Sequence, residues 1–293
     1  MDGITITLIQ AGSMVSTVAF MFSTGLETRK VDVWYLGSQR GLLFRSFLAV
    51  DVLVPLITVS VINLVRPGMA TTVGLLLLAG APIAPMILRK TLQAGGSREY
   101  AISLHLVLAC LAIVTTPITI EILFGAAGLQ REVSPVAIAQ LVGSTILIPM
   151  IAGNIIGKLF TRLSQLIIRP LRALSVVTSA IVNIVVLFTT YELLLKLDIC
   201  SYVAIGFMIA GSICAGHLMA RGRPGEQSTL ALESGSRNID LTLLMASTFI
   251  TLDRALQVII PYIVILAIIN TIYIIYQKRA RHRLEGDRQS DQG

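Results

Sequence analysis

Residues 230–245 read LALESGSRNIDLTLLM, with a glutamate, an arginine and an aspartate, beside a glycine and an asparagine, set inside an apolar stretch. Across the 293 residues the mean hydropathy is +0.82 and 13% are charged, about half the share usual in a soluble domain. Such a chain is an integral membrane protein with the lipid bilayer as its solvent. Within that solvent the three charges of 230–245 must face protein or water, because an unpaired charge at mid-depth costs at least ~2.5 kcal/mol. The spans are helices: runs such as VAIGFMIAGSICAGHLMA are continuously apolar, where barrel strands would alternate.

Nine spans of roughly 20 residues or a little longer fit the chain. They fall near 4–26, 41–64, 69–92, 99–124, 134–157, 171–195, 200–220, 226–248 and 255–277. Because MDGITITL has no basic leader region, the first run is expected to remain as a helix. The loops after spans 1, 3, 5 and 7, with the C-terminal tail, hold 17 Lys and Arg. The loops after spans 2, 4, 6 and 8 hold four: Arg66, Arg131, Lys196 and Arg254. Basic loops face the cytoplasm, so the C-terminus is expected inside and the N-terminus outside, as an odd number of spans demands. The net charge of +7 therefore reports topology and not nucleic-acid binding. Residues 1–277 read as one transmembrane domain and 278–293 as a basic, disordered tail at the lipid headgroups. Cys110, Cys200 and Cys214 lack metal-ligand spacing and suggest no disulfide framework.

Two spans are poor helices. The third carries Gly80, Pro82 and Pro85 in its middle, and each proline removes a backbone donor. The eighth has Gly235 among Glu233, Ser234, Ser236, Arg237, Asn238 and Asp240. Broken helices in corresponding places of two halves point to an inverted repeat, with a site at the midplane built from the broken ends. Spans 3 and 8 lie five apart and so run in opposite directions, as an inverted repeat requires.

Three stretches resemble the bile acid:sodium symporter superfamily. MFSTGLETRKVDVW is similar to that family's Met-Gly-Leu-Thr turn and basic loop. LAGAPIAPMILRKTLQAGGSREYAISLHLVLACLAIVTTPITI is similar to its proline-and-glycine crossover helix and the helix after it, which ends at a proline, here Pro117. ESGSRN matches its Glu-x-Gly-x-Gln-Asn at Glu233, Gly235 and Asn238. The resemblance implies an all-α fold, also like sodium-proton antiporters, in which two discontinuous helices cross. Spans 1, 5 and 6 would form a panel and the other six a core. It implies a secondary transporter of a small organic anion in a bacterial cytoplasmic membrane, with no cofactor and no enzyme activity.

The departures from the family bear on the coupling ion. In the family the motif glutamate bridges two sodium sites, helped by a Ser-Asn pair, by hydroxyls on the following helix and by the motif glutamine. Here Leu88 and Arg89 fall nearest the Ser-Asn pair, Cys110 and Ile113 stand where hydroxyls are expected, and the glutamine is Arg237. A further family glutamine corresponds to Val50, next to Asp51. Glu233 and Asn238 are the sodium ligands that remain. Arg237 is expected to pair with Glu233 or Asp51, or to meet an anionic substrate, which would weaken or abolish two-sodium coupling and leave uniport, exchange or proton coupling. A sodium symporter with rearranged ion sites is the alternative. Asp240 reads either as a site residue or as a cap for half-helix amides, and His105 as a packed histidine or a proton relay. Pro82 and Pro85 shape the crossover and free carbonyls near substrate. A receptor or an intramembrane enzyme is the competing class, but no catalytic motif is present at recognised spacing.

Overall fold

In the computed structural model, which describes residues 3–28, 35–129, 134–195, 197–220, 223–249 and 252–290, every named element is helical. The basic residues Arg29, Lys30, Arg131, Lys196 and Arg221, counted above for topology, lie outside the described residues. The helices are α1 (Gly3–Glu27), α2 (Arg40–Val65), α3 (Met69–Gly80), α4 (Leu88–Gln93), α5 (Arg98–Ala126) and α6 (Pro135–Leu159). They are followed by α7 (Thr161–Leu195), α8 (Ile199–Met219), α9 (Pro224–Gly235), α10 (Ile239–Phe249) and α11 (Leu252–Ser290). Seven of them, α1, α2, α5, α6, α7, α8 and α11, contain stretches long and apolar enough to cross a membrane. Large apolar side chains such as Ile122, Ile148, Phe188 and Ile272 are more than 60% exposed, as befits a lipid-facing surface.

The remaining two expected spans are discontinuous. The first comprises α3 and α4, interrupted at 81–87. A residue before proline is pushed out of the helical region, because the proline Cδ collides with its backbone. Ala81 before Pro82 and Ala84 before Pro85 are accordingly extended, at φ −73°, ψ 146° and φ −66°, ψ 124°. One turn of 3-10 helix, Pro85–Ile87, then leads into α4. The second span comprises α9 and α10, broken at 236–238, with Ser236 extended at φ −108°, ψ 111°.

Gly235 is the last residue of α9 and is not among the described positive-φ residues. Its role is close packing: a Cβ there would stand 2.5 Å from Cγ1 of Ile213 on α8. Gly216 of α8 acts likewise, since a Cβ would come within 2.4 Å of the Leu230 carbonyl oxygen. Together they let α8 and α9 lie against each other.

α1 packs chiefly on α6 and α7, α8 on α9 and α2, and α11 on α3 and α8. Three details depart from expectation. α2 contains a π-helical turn, Leu48–Leu53, which carries Asp51. α7 begins at Thr161, well before 171, because TRLSQLIIR is itself good helix-forming sequence and Pro170 is accommodated within the helix. α11 continues to Ser290 through the stretch read as a disordered tail, where Gln, Lys, Arg, Ala, Leu and Glu favour helix continuation.

Gly235→Ala should overpack the α8–α9 contact and destabilise the protein by about 1–3 kcal/mol. Thermal unfolding in detergent checks this, and Ile213→Ala in the same background should recover part of the loss.

Candidate functional site at the crossing of two broken helices

Backbone groups freed by a helix break in a bilayer need partners inside the protein. Here the two breaks supply each other. Ala84 N donates to Ser236 O at 2.9 Å and Asn238 N to Pro82 O at 2.9 Å, an antiparallel pairing centred on Ile83 and Arg237. The side chain of Asn238 then caps α10, its Oδ1 accepting from Leu241 N at 3.0 Å. Tyr262 of α11, fully buried, accepts from Arg237 N at 2.9 Å and donates to Gly235 O at 3.0 Å. The pairing thus involves both broken segments and a third helix.

Arg237 is 2% exposed. Its guanidinium donates from Nη2 to Val50 O at 2.6 Å and from Nη1 to Ala81 O at 3.1 Å. Two bare carbonyl oxygens of this kind would suit a hard metal cation, and a protein cation occupies them. The expected direct ion pair with Glu233 or Asp51 is not formed among the described residues. Asp51 acts on Arg237 through its charge, while its Oδ2 is buried without a hydrogen-bond partner.

Glu233, completely buried, has a different partner. His105 Nδ1 of α5 lies 3.1 Å from Glu233 Oε2, close but without the alignment of a hydrogen bond, and Thr91 Oγ1 of α4 donates to Oε1 at 3.4 Å. The other ring nitrogen, Nε2, lies 3.3 Å from Ala84 O. Both nitrogens therefore face oxygen acceptors, so the pair is best served when the ring carries both protons or the carboxyl carries one. Cys110, expected to stand near the glutamate, is exposed, as is Arg89. Position along the helix explains this: His105 and Thr91 lie on the inward faces of α5 and α4. The carbonyl oxygens at Val50 and Ala81 are thus taken by a guanidinium, and the Glu233 carboxyl lies against the His105 ring.

Asp240 does not serve the half-helix amides, a task that Asn238 performs. Its carboxylate accepts from Ser16 Oγ of α1 at 2.6 Å and from Ser179 Oγ of α7 at 2.9 Å. Beside it lies a cavity of about 280 Å3 between the crossing and α1, α7 and α11. Lys90, Arg237, Asn238 and Asp240 supply polar lining, and Phe20, Ile263 and Leu266 apolar lining. Ser236 also lines it, while Ser234 packs against Gly216 and Pro82 borders a separate small space beside His105. Asp51 and Glu233 do not line the cavity. The side chain of Pro85 lies outside the described residues.

Sequence reasoning missed Lys90, Tyr262, Ser16 and Ser179. Lys90 was counted among loop cations, and the other three are ordinary residues of apolar helices with no local signal. At the end of α1, Glu27 pairs with Arg98 of α5 at 3.0 Å and with Arg172 of α7, joining three helices. Among the described residues no three His, Cys, Asp or Glu side chains are grouped to hold a metal ion.

Arg237→Met should leave the Val50 and Ala81 carbonyls unpaired and Asp51 unbalanced. A loss of about 3–5 kcal/mol is expected, with partial recovery on adding Asp51→Asn, both read from thermal midpoints.

Residues 14–197 match the model of the Sodium Bile acid symporter family. No curated protein matches the chain. The matched region ends before α8, so the second break and its charges are interpreted from their geometry.

Proposed function

Because the chain belongs to the sodium bile acid symporter family, we propose that it is a secondary transporter carrying a small organic anion across the membrane by alternating access. The observation that carries this reading is the cavity beside the paired breaks, where Lys90 and Arg237 outnumber the one carboxylate of Asp240. That balance favours an anion, and the apolar wall suits a hydrocarbon body. In this reading the nine spans are the seven continuous helices plus the broken pairs α3–α4 and α9–α10, related as an inverted repeat. The N-terminus is outside and the C-terminus lies in the cytoplasm of a bacterial cell. α1, α6 and α7 form a panel, against which the other helices rock as a core. The Glu27 cluster, with its two arginines among the cytoplasmic basic residues, joins panel to core in the present conformation.

Transport on this account does not use two sodium ions at the crossing, because Arg237 already supplies positive charge there and His105 lies against Glu233. A second reading, a sodium symporter with rearranged ion sites, is favoured by one observation: the oxygen cluster around Asp240, which is not ion-paired with a basic side chain among the described residues.

Purified protein screened by thermal shift against mono- and dicarboxylates, sulfonates and phosphate esters should be stabilised by one class. Proteoliposomes should accumulate that class by exchange. Lys90→Gln should weaken its binding about tenfold, or ~1.4 kcal/mol. Absence of both stabilisation and uptake across the anions would overturn the reading.

A further inference from the structure

Asp240 is 8% exposed, and no Lys, Arg or His among the described residues forms an ion pair with it. The N-terminus of α10 offers a partial positive charge, with the amide of Leu241 capped by Asn238 Oδ1 and that of Thr242 bonded to Asn238 O. An ionised carboxylate in this position is costly inside the membrane unless something neutralises it.

Its neighbours are oxygens. Ser16 Oγ lies 2.6 Å from Asp240 Oδ2, 3.1 Å from Ser175 O and 3.3 Å from Ser175 Oγ, so three oxygens surround a hydroxyl whose single proton serves one of them. Ser179 Oγ lies 2.9 Å from Asp240 Oδ1. Two further polar atoms have no partner. Thr17, 1% exposed and lining the same cavity, has an unpaired Oγ1. Asn183, one turn beyond Ser179, directs its amide nitrogen to Ser179 O at 2.8 Å, which leaves a buried and unpaired Oδ1. Carboxylate, hydroxyl and carbonyl oxygens in this density are the ligands of a hard cation, and one carboxylate matches one unit of charge.

We propose that Asp240, with Ser16, Ser175 and Ser179, forms a binding site for one sodium-sized monovalent cation at the contact between α10 and helices α1 and α7. Arg237, three residues earlier in the chain, and Lys90 line the same cavity, but the guanidinium is directed to the Val50 and Ala81 carbonyls and neither residue is ion-paired with Asp240. The site's ligands come from both sides of the cavity, so the ion binds tightly when α10 is held against α1 and α7 and weakly when they part. An ion with such differential affinity biases the conformational equilibrium by that difference. Cation binding itself stands independently of the substrate, whereas its use in coupling rests on the transporter reading above.

The test uses full-length protein in detergent without organic substrate, titrated with NaCl, LiCl or KCl against choline chloride at constant ionic strength. Thermal midpoints and 22Na+ binding are read together. NaCl should raise the wild-type midpoint saturably, and Asp240→Asn should abolish both the shift and the bound 22Na+. Ser16→Ala and Ser179→Ala, which keep the carboxylate, should each raise the half-saturating sodium concentration roughly tenfold or more. A saturable sodium effect of unchanged affinity in all three variants would overturn the site. So would a wild-type protein indifferent to every cation, in which case a proton or a substrate ammonium neutralises Asp240. If sodium binds as described while no organic anion is transported, the substrate reading fails and the cation site stands.

Discussion

Two helices that stop inside a bilayer each expose backbone groups that lipid cannot satisfy, and the fold depends on those groups pairing with one another. The hydrogen bonds from Ala84 to Ser236 and from Asn238 to Pro82 make each break the partner of the other. Arg237 extends the arrangement, tying the end of α3 through Ala81 O and the π turn of α2 through Val50 O. A side chain that would be prohibitive against lipid becomes tolerable because backbone carbonyls and the charge of Asp51 surround it.

The same physics divides the buried charges into three groups with different neighbours. Arg237 lies among carbonyls, with Asp51 acting on it from α2. Glu233 lies against His105 and Thr91, linking α9 to α5 and α4. Asp240 alone faces hydroxyls of α1 and α7 across the cavity. The first two groups contain basic side chains, Arg237 and His105. The third bridges to the other wall of the cavity without an ion pair to a basic side chain among the described residues, and the proposed cation site is placed there.

Much of the fold was legible in the sequence because its causes are local. Apolar runs set most helix bounds to within a few residues, the start of α7 and the end of α11 excepted, and Pro82 and Pro85 marked a break whose extended residues are the ones that precede them. Charge inside 230–245 likewise exposed Glu233, Arg237 and Asn238 as site candidates. Their partners were not legible. Arg237 was expected to pair with Glu233 or Asp51 or to meet substrate, whereas the crossing directs the arginine to carbonyls and brings His105 of α5 to Glu233. Backbone acceptors carry no side-chain signature, so the cradle at Val50 and Ala81 could not be read from residue types. Ser16 and Ser179 resemble other helix serines until the packing of α1, α7 and α10 brings them to one carboxylate. Gly235 stood out beside the break, while its close contact with Ile213 is a tertiary property that no local pattern shows.

The central claim is that protein cations take the place of ions at the crossing, leaving Asp240 as the one site for a metal cation. Counting bound sodium addresses it most directly. Equilibrium binding of 22Na+ to purified wild-type protein of known active concentration should saturate at one ion per chain, whereas saturation at two ions per chain would contradict the account.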